Sequence, residues 1–389
     1  MSGLEMTPER QQIKNAVEEI CNRYDDKYWR ELDRTHTFPE EFRAEIAKGG
    51  WLGIAMPQEY GGAGLGITEA ALFIQTVAGS AGTQAAASAV QINIFGPHPI
   101  VVHGTDEQKR RMLPPLINGE HRCAFGVTEP DAGLDTTHIK TRAVLKDGRY
   151  IVNGQKVWTT TAQTASKILL LTRTTSYENS KRPTDGMTLF YTDFDRSRIK
   201  VTEIDKMGRA AVDSNSIFIE DLSIPVEDRV GREGEGFRIL LDGLNPERIL
   251  IAAACVGIGR RALEKAAAYA NERHVFGRPI GKNQAIQHPL AESWMELEAA
   301  DLMVWHAARL YDTGQPCGAY ANAAKYLAAE ASFRACDRAV RTHGGFGYAK
   351  EYNVERYFRE SMLPRIGPVT RELILCFIAE KQLGLPKSY

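Results

Sequence analysis

The fold of this chain is decided by residues 123–160, which read CAFGVTEPDAGLDTTHIKTRAVLKDGRYIVNGQKVWTT. A turn-rich segment, TEPDAG, is followed by short runs in which apolar and polar residues alternate, a pattern typical of β-strands. Asp147-Gly148 and Asn153-Gly154 are dipeptides that tight hairpins favour, because those turns need positive φ. Helical patterns lie before and after this stretch. We therefore expect a β domain between two helical domains.

The rest of the chain supports an α+β fold with three domains, since 389 residues exceed what one core usually supports. We predict an N-terminal helical domain at residues 1–120, a middle β domain at 121–230 and a C-terminal helical domain at 231–389. Further strands are expected at Ile168–Thr172, Met187–Tyr191 and Ile217–Leu222. The last domain is expected to be a four-helix bundle, with helices at Glu247–Asn271, Ala285–Leu310, Ala319–Thr342 and Val369–Leu383.

Composition excludes several classes of protein. The formal net charge of −1 indicates neither nucleic acid nor an anionic membrane surface as a partner. No run of about 18 apolar residues occurs, so no membrane span is expected. The N-terminal residues lack the features of a signal or transit peptide, and the six cysteines lack CxxC or His-linked spacing. We therefore predict reduced thiols, no metal site and a cytoplasmic location.

The segments VTEPDAGLD and NGQKVWTT resemble the flavin-binding segment of the acyl-CoA dehydrogenase family, and the similarity covers nearly the whole chain. The resemblance implies FAD as cofactor. It assigns flavin contacts to five residues of the β domain: Phe125, Val127, Thr128, Trp158 and Thr160. Many family members have Ser where this chain has Leu134, which is assigned to both cofactor and substrate contacts. Taken alone, the same residues would also suit an ordinary hairpin with a buried Trp.

Two segments of the third domain resemble family signatures for the rest of the cofactor. Residues 273–287, RHVFGRPIGKNQAIQ, match the pattern Arg-x-x-Phe-Gly…Gln. Residues 341–345, RTHGG, match Gln-x-x-Gly-Gly, with Arg in place of the usual Gln. The resemblance implies contacts with FAD held across a subunit boundary, and hence a homotetramer. The residues assigned to these contacts are Arg273, Phe276, Gln284, Arg341, Gly344 and Gly345, together with Thr370.

The catalytic base is absent from its commonest family position. The family commonly places this Glu in a Tyr-Glu-Gly-Thr sequence, where the present chain has Pro368 within RIGPVT. The isovaleryl-CoA and long-chain types carry their Glu on a bundle helix just before an Arg, and Glu247 precedes Arg248 here. A Glu in the first turn of a helix, favoured by the helix dipole, is the alternative interpretation. The loss at Pro368 favours Glu247 as the base.

The implied reaction is α,β-desaturation of an acyl-CoA thioester. A carboxylate removes the α-proton, and the β-hydrogen leaves as hydride to flavin N5. Substrate contacts are assigned to Asn245, Arg248 and Gly367. Because Pro368 has no N–H, the donor that polarises the thioester carbonyl is either Gly367, through a one-residue shift, or another group. Electron-transfer flavoprotein is the expected acceptor; an oxidase of the same fold and a non-catalytic flavin- or acyl-CoA-binding protein are the alternatives.

Overall fold

The computed structural model describes residues 4–388, so the outermost residues of the first and third predicted domains, 1–3 and 389, lie outside the described residues. Helices dominate the chain up to residue 120, where they surround an apolar core. They are α1 (Pro8–Cys21), α2 (Asp26–Thr35), α3 (Glu40–Lys48), α4 (Ile67–Ala78), α5 (Thr83–Phe95), α6 (His98–His103) and α7 (Asp106–Ile117).

The middle of the chain forms a mixed sheet in the strand order β6-β7-β3-β2-β4-β5-β8, with β1 parallel to β4. The strands are β1 (Cys123–Gly126), β2 (Arg142–Lys146), β3 (Arg149–Thr160), β4 (Lys167–Arg173), β5 (Met187–Asp193), β6 (Ile199–Glu203), β7 (Ser214–Pro225) and β8 (Arg229–Val230). The three strands predicted after residue 160 are therefore confirmed as parts of β4, β5 and β7. In β4, Leu169 and Leu171 face one core while Ile168 and Leu170 face another. Burial on both faces explains why this strand reads as a continuous apolar run.

One of the two predicted hairpin turns is wrong. Asp147-Gly148 does connect β2 and β3, with φ of 49° and 75°. Asn153-Gly154 instead lies inside β3, where the register with β7 shifts between Val152 and Gly154. The Asn153 side chain donates a hydrogen bond to Asp221 Oδ1 of β7 and accepts one from the Asp221 amide. The dipeptide therefore marks a β-bulge within the strand, where glycine is also common.

The C-terminal part is helical, and its long helices confirm the predicted bundle. Its elements are α8 (Gly236–Glu272), the short strands β9 (His274–Val275) and β10 (Arg278–Pro279), α9 (Gln284–Asp312), α10 (Gly318–His343), α11 (Val354–Ser361), α12 (Leu363–Ile366) and α13 (Arg371–Leu383). Within residues 4–388, no helix is long and apolar enough to cross a membrane.

Helix α8 begins eleven residues before the predicted start, and Pro246 lies inside it. The sequence-based start at Glu247 was wrong because a proline usually ends a helix or opens one. Here Ile239, Leu240 and Gly243 are buried on the preceding turns, so tertiary packing outweighs the missing backbone hydrogen bond. Glu247 is therefore an interior residue of α8, and the first-turn interpretation does not hold.

The N-terminal helices and the bundle share one core, which fixes how α5 and α8 align. A Cβ on Gly257 of α8 would lie 2.4 Å from the carbonyl oxygen of Gln75, so only glycine allows α4 to approach this closely. At the other end, a Cβ on Gly243 would lie 3.8 Å from the carbonyl oxygen of Phe95, at the end of α5. The start of α8 packs against the sheet, because a Cβ on Gly236 would lie 2.6 Å from the backbone nitrogen of Leu189 in β5.

Candidate active site

The TEP turn is fastened to β3 by hydrogen bonds from two consecutive residues. The Val157 amide donates to the carbonyl oxygen of Thr128 at 2.9 Å. The Lys156 ammonium donates to the carbonyl oxygen of Val127 at 3.0 Å and to Glu129 Oε1 at 2.9 Å. The predicted flavin contacts Val127 and Thr128 are thereby held close to Trp158, as the assignment requires.

Glu129 and Lys156 form a buried ion pair behind this turn. The Glu129 carboxylate also accepts hydrogen bonds from the backbone amides of Lys140 and Thr141, at 2.6 and 2.9 Å. Burial opposes ionisation of Glu129, but Lys156 and these hydrogen bonds outweigh it and hold its pKa below its usual value. Burial also lowers the pKa of Lys156 to about 8, against the opposing effect of Glu129. Neither residue was predicted to belong to the site, although both lie in the segments that carry the resemblance.

Trp158 presents its indole to solvent because the strand is irregular at this point. The pairing between β3 and β7 shifts between Lys156 and Thr159, and Trp158 adopts a φ of 60°. Such a φ is an outlier for a bulky residue and signals a local constraint. The side chain is 57% exposed, so the alternative of a buried Trp in an ordinary hairpin is wrong. Thr160 follows at the end of β3, half-buried and paired with Ser214.

Phe125, in β1, connects the sheet that carries the TEP turn and Trp158 to the helices. Its ring packs edge-on against Phe95, with 5.9 Å between the centroids. The backbone of Phe95 lies beside Gly243 of α8, and Glu247 follows one turn later. The predicted flavin contacts of the sheet and the predicted base are therefore linked through the end of α5. Leu134, by contrast, lies on the exposed loop after the turn and is 61% exposed.

Glu247 is buried, and within residues 4–388 no group forms a hydrogen bond or an ion pair with its carboxylate. Burial raises its pKa to about 7, against the opposing charges of Arg248 and Lys325. A carboxylate with a pKa near neutrality is suited to exchange a proton at neutral pH. An unpartnered buried carboxylate is costly in a purely structural role, so these properties point to chemistry.

The two polar residues on either side of Glu247 are bonded to each other. Arg248 Nη1 donates to Asn245 Oδ1 at 3.1 Å, and Arg248 Nε is buried without a partner in the described part of the chain. Asn245 also lies against the start of α10, 4.0 Å from a Cβ built on Gly318. Asn245 and Arg248, the predicted substrate contacts, are thus both positioned beside the carboxylate.

The segment that holds the family's usual base forms a turn between α12 and α13. Lys325 of α10 donates to the carbonyl oxygen of Val369 at 2.7 Å, and Thr370 caps α13 by accepting the Leu373 amide. The Gly367 amide already donates to the carbonyl oxygen of Leu363 at 3.0 Å. In this conformation Gly367 therefore does not supply the backbone donor that is missing at Pro368.

The remaining predicted cofactor contacts lie at the opposite end of the bundle. Arg273 and Gln284 are exposed at the end of α8 and the start of α9, and Phe276 between them is 99% exposed. Arg341 is paired with Asp337 at 2.6 Å. Gly344, with a φ of 61°, ends α10.

The two ends are far apart within one chain. Helices α8 and α10 are parallel, since Asn245 lies by Gly318 and Tyr269 stacks on His343 with 4.3 Å between the rings. Glu247 and Arg273, the C-cap residue of α8, are 26 positions apart along the helix, or roughly 39 Å at about 1.5 Å per residue. The structure thus brings together the sheet residues, Glu247 and the 367–370 turn, and leaves Arg273 and Gly344 in a separate group.

Both groups have the chemistry that a flavin dinucleotide needs. The exposed Trp158 indole offers an aromatic surface beside a planar ring. Arg273 offers a guanidinium, which suits a diphosphate. A Cβ built on Gly344 or Gly345 would meet no heavy atom of the described residues within 4 Å, so a ligand has room to approach the backbone. The residues present fit FAD.

Comparisons with known proteins agree with this geometry. Models of the N-terminal, middle and C-terminal domains of acyl-CoA dehydrogenase match residues 7–120, 124–222 and 234–383. The chain belongs to the acyl-CoA dehydrogenase family. It is therefore an oxidoreductase of the FAD-dependent family whose members act on acyl-CoA, and the expected fold class and cofactor are confirmed.

Three similar proteins illustrate the relationship. Acyl-CoA dehydrogenase FadE12 of Mycobacterium tuberculosis is 39% identical, over 98% of this chain and 97% of the relative. A chain in the structure of the electron-transferring flavoprotein of Acidaminococcus fermentans is 31% identical with a TM-score of 0.93, covering 98% of this chain and 99% of that one. Glutaryl-coenzyme A dehydrogenase in its glutaryl-CoA complex is 29% identical with a TM-score of 0.93, covering 99% and 98%.

Proposed function

We propose that this acyl-CoA dehydrogenase uses Glu247 as the general base that removes the α-proton of an acyl-CoA thioester. The observation that supports this most directly is the buried Glu247 carboxylate, without a hydrogen-bond partner in the described residues and with a pKa near neutrality. The rival carboxylate near the family's usual site, Glu372, is on the exposed side of α13 and paired with Arg371. It is therefore poorly placed to act as the base.

The other residues of the site position the reactants. Asn245 and Arg248 flank the base and are assigned to the substrate, as are Leu134 and Gly367. Phe125, Val127, Thr128, Trp158 and Thr160 are assigned to the flavin face, with Leu134 and Thr370 as further cofactor contacts. When bound, FAD supplies the acceptor for the β-hydride. Glu247 holds the α-proton at its carboxylate after removal.

An acyl-CoA panel under anaerobic conditions tests this function. We expect at least one acyl-CoA to bleach the oxidised flavin band, and the rate should increase with pH through about 7. The sign follows from the base: its raised pKa of about 7 leaves the carboxylate protonated and inactive below that pH, and ionised above it. Stopped-flow absorbance measured from pH 5.5 to 9 gives both the extent of flavin bleaching and the pH dependence of its rate. A rate that decreases through this pH range would contradict a carboxylate base.

We also propose that the enzyme is a homotetramer that passes electrons to an electron-transfer flavoprotein in the cytoplasm. The separation between Glu247 and Arg273 supports cofactor sites shared between copies, because the two ends of one chain then serve different FAD molecules. Trp294, Met295 and Leu302 of α9 are more than half exposed in the single chain, which supports burial against another copy. The likeness to a chain in an electron-transferring flavoprotein structure supports the acceptor. The family matches support domain boundaries near residues 120 and 230.

Replacing Arg273 with Ala is expected to weaken FAD retention. Loss of a charge-assisted contact to the diphosphate costs about 1.5–3 kcal/mol, or roughly tenfold or more in affinity. Sedimentation and the flavin-to-protein absorbance ratio after gel filtration measure assembly and retention together. Arg182→Ala is the matched control, since this exposed arginine pairs with nearby Asp185 in a loop of the β domain. A wild-type monomer that retains FAD would overturn the shared site.

A further inference from the structure

Lys325 occupies an unusual position in the middle of α10. The surrounding residues 321–331, ANAAKYLAAEA, are rich in alanine, and the spacing of Ala321, Lys325, Ala328 and Ser332 places the lysine on the buried face. Only 1% of this residue is exposed. A buried ammonium is costly unless nearby groups compensate its charge, so these groups indicate what the lysine does.

The first compensating group is the turn between α12 and α13. The ammonium donates to the carbonyl oxygen of Val369 at 2.7 Å. Val369 has a φ of 108°, a conformation that a β-branched residue rarely adopts, so this turn needs external support. Lys325 supplies that support at the centre of the turn.

The flanks of the same turn are also fastened to α10. The Glu330 carboxylate on α10 forms ion pairs with Arg365 Nε at 2.8 Å and with Arg371 Nη1 at 3.2 Å. Arg365 stands two residues before Gly367, and Arg371 follows Thr370 directly. Lys325 therefore belongs to a group of α10 contacts that fixes the segment where the family's usual base stands.

The second compensating group is on α8. The titratable groups that act on the ammonium are Glu247, Arg248 and Cys255 from α8 and Glu330 from its own helix. Burial, with the Arg248 charge, lowers the pKa of Lys325 to about 8, while Cys255, Glu247 and Glu330 oppose this effect, so the side chain is mostly protonated at neutral pH. Among the residues that the structure describes, Arg248 and Lys325 are the cations that oppose the raised pKa of Glu247. Lys325 is thus the cation that links the 367–370 turn to the proposed base.

We propose that Lys325 is a positioning residue for the reaction: from the buried face of α10 it holds the Gly367–Thr370 turn in place, and it sets a positive charge near the proposed base Glu247. The inference rests on the proposed function, since it assumes that Glu247 is the base. It also explains how a chain with its base on α8 retains an ordered turn at the family's usual base position, where Pro368 takes part in no proton transfer.

The test compares the pH dependence of flavin reduction in the wild-type holoenzyme, Lys325→Met and Lys325→Arg. The Met variant removes the charge, so the acid limb is expected to shift upward by about one pH unit, the size expected for a unit charge several ångströms away inside a protein. At pH 7 this is roughly a fivefold slower reduction, recovered at pH 9. The Arg variant keeps the charge and is expected to restore the acid limb. A merely structural role would lower the rate equally at all pH values.

Lys325→Gln is measured alongside, because its amide can still donate to the Val369 carbonyl if the Met variant does not fold. FAD content and thermal melting establish that each variant is folded, and Lys381→Met, at an exposed lysine near the end of α13, is the matched neutralisation control. An acid limb that stays in place in folded Lys325→Met or Lys325→Gln would overturn the proposal. If Glu247→Gln remains active, the proposed base fails instead; if it is inactive while the Lys325 variants show no shift, only the present inference fails.

Discussion

Glu247→Gln is expected to abolish flavin reduction by acyl-CoA while leaving FAD and substrate binding nearly unchanged. The amide has almost the same size as the carboxylate and lies in the interior of α8, so the helix keeps its packing. It has no basic oxygen that can accept the α-proton. Removal of a general base typically costs on the order of 10²–10⁴-fold in rate. A larger loss is expected if no other carboxylate reaches the substrate. Anaerobic stopped-flow mixing with the best acyl-CoA of the panel measures this rate directly.

The control for this variant is Glu372→Gln. Glu372 is the nearest carboxylate in the Pro368 segment, but its side chain is exposed and paired with Arg371, so its loss should leave the rate unchanged. The two variants make the same substitution on two helices, at a buried carboxylate in Glu247 and at an exposed, paired one in Glu372. A reversed result, with an active Glu247→Gln and an inactive Glu372→Gln, would move the base to α13. Equal activity in both would require a group outside these two positions.

The three-part fold was predictable because its signals are local. Alternating residues gave the strands, and the apolar run of β4 reflects burial on both faces. Asp147-Gly148 forms a hairpin turn because the strands on either side of it, β2 and β3, pair with each other. Asn153-Gly154 carried the same local signal and failed, because the register between β3 and β7 depends on a partner strand that pairs Val152 with Leu222 and Gly154 with Ile219, far along the chain. Local turn chemistry cannot distinguish these two outcomes.

The candidate site was predictable only in part. Glu247 was found by position relative to Arg248 and by the loss at Pro368, but its burial was not, because Pro246 appeared to start a helix. Lys325 had a usable signal, a lysine on the apolar face of an alanine-rich helix. Its partners on α8 and in the 367–370 turn come from distant sequence, so only the tertiary structure gives it a role. The same is true of the pairing between Glu129 and Lys156.

That pairing leads to the second large effect: Lys156→Met is expected to destabilise the β domain and reduce FAD retention. The variant leaves the Glu129 carboxylate buried without its ammonium partner, and breaking a buried pair in this way costs about 3–5 kcal/mol. Such a loss is a large fraction of the stability of a typical domain, roughly 5–15 kcal/mol. It also frees the carbonyl of Val127 and loosens the turn that carries Thr128. The flavin contacts should therefore be lost before the whole protein unfolds.

Lys140→Met provides a matched control for this last prediction. Lys140 belongs to the same segment and pairs with Asp131 at 3.1 Å, but both side chains are exposed. A surface ion pair of this kind contributes about 0–1 kcal/mol, so the control should melt and retain flavin like the wild type. Thermal melting followed by circular dichroism, with flavin fluorescence recorded in parallel, separates domain unfolding from cofactor release. If Lys156→Met and Lys140→Met behave alike in both signals, the buried pair does not hold the flavin-binding turn.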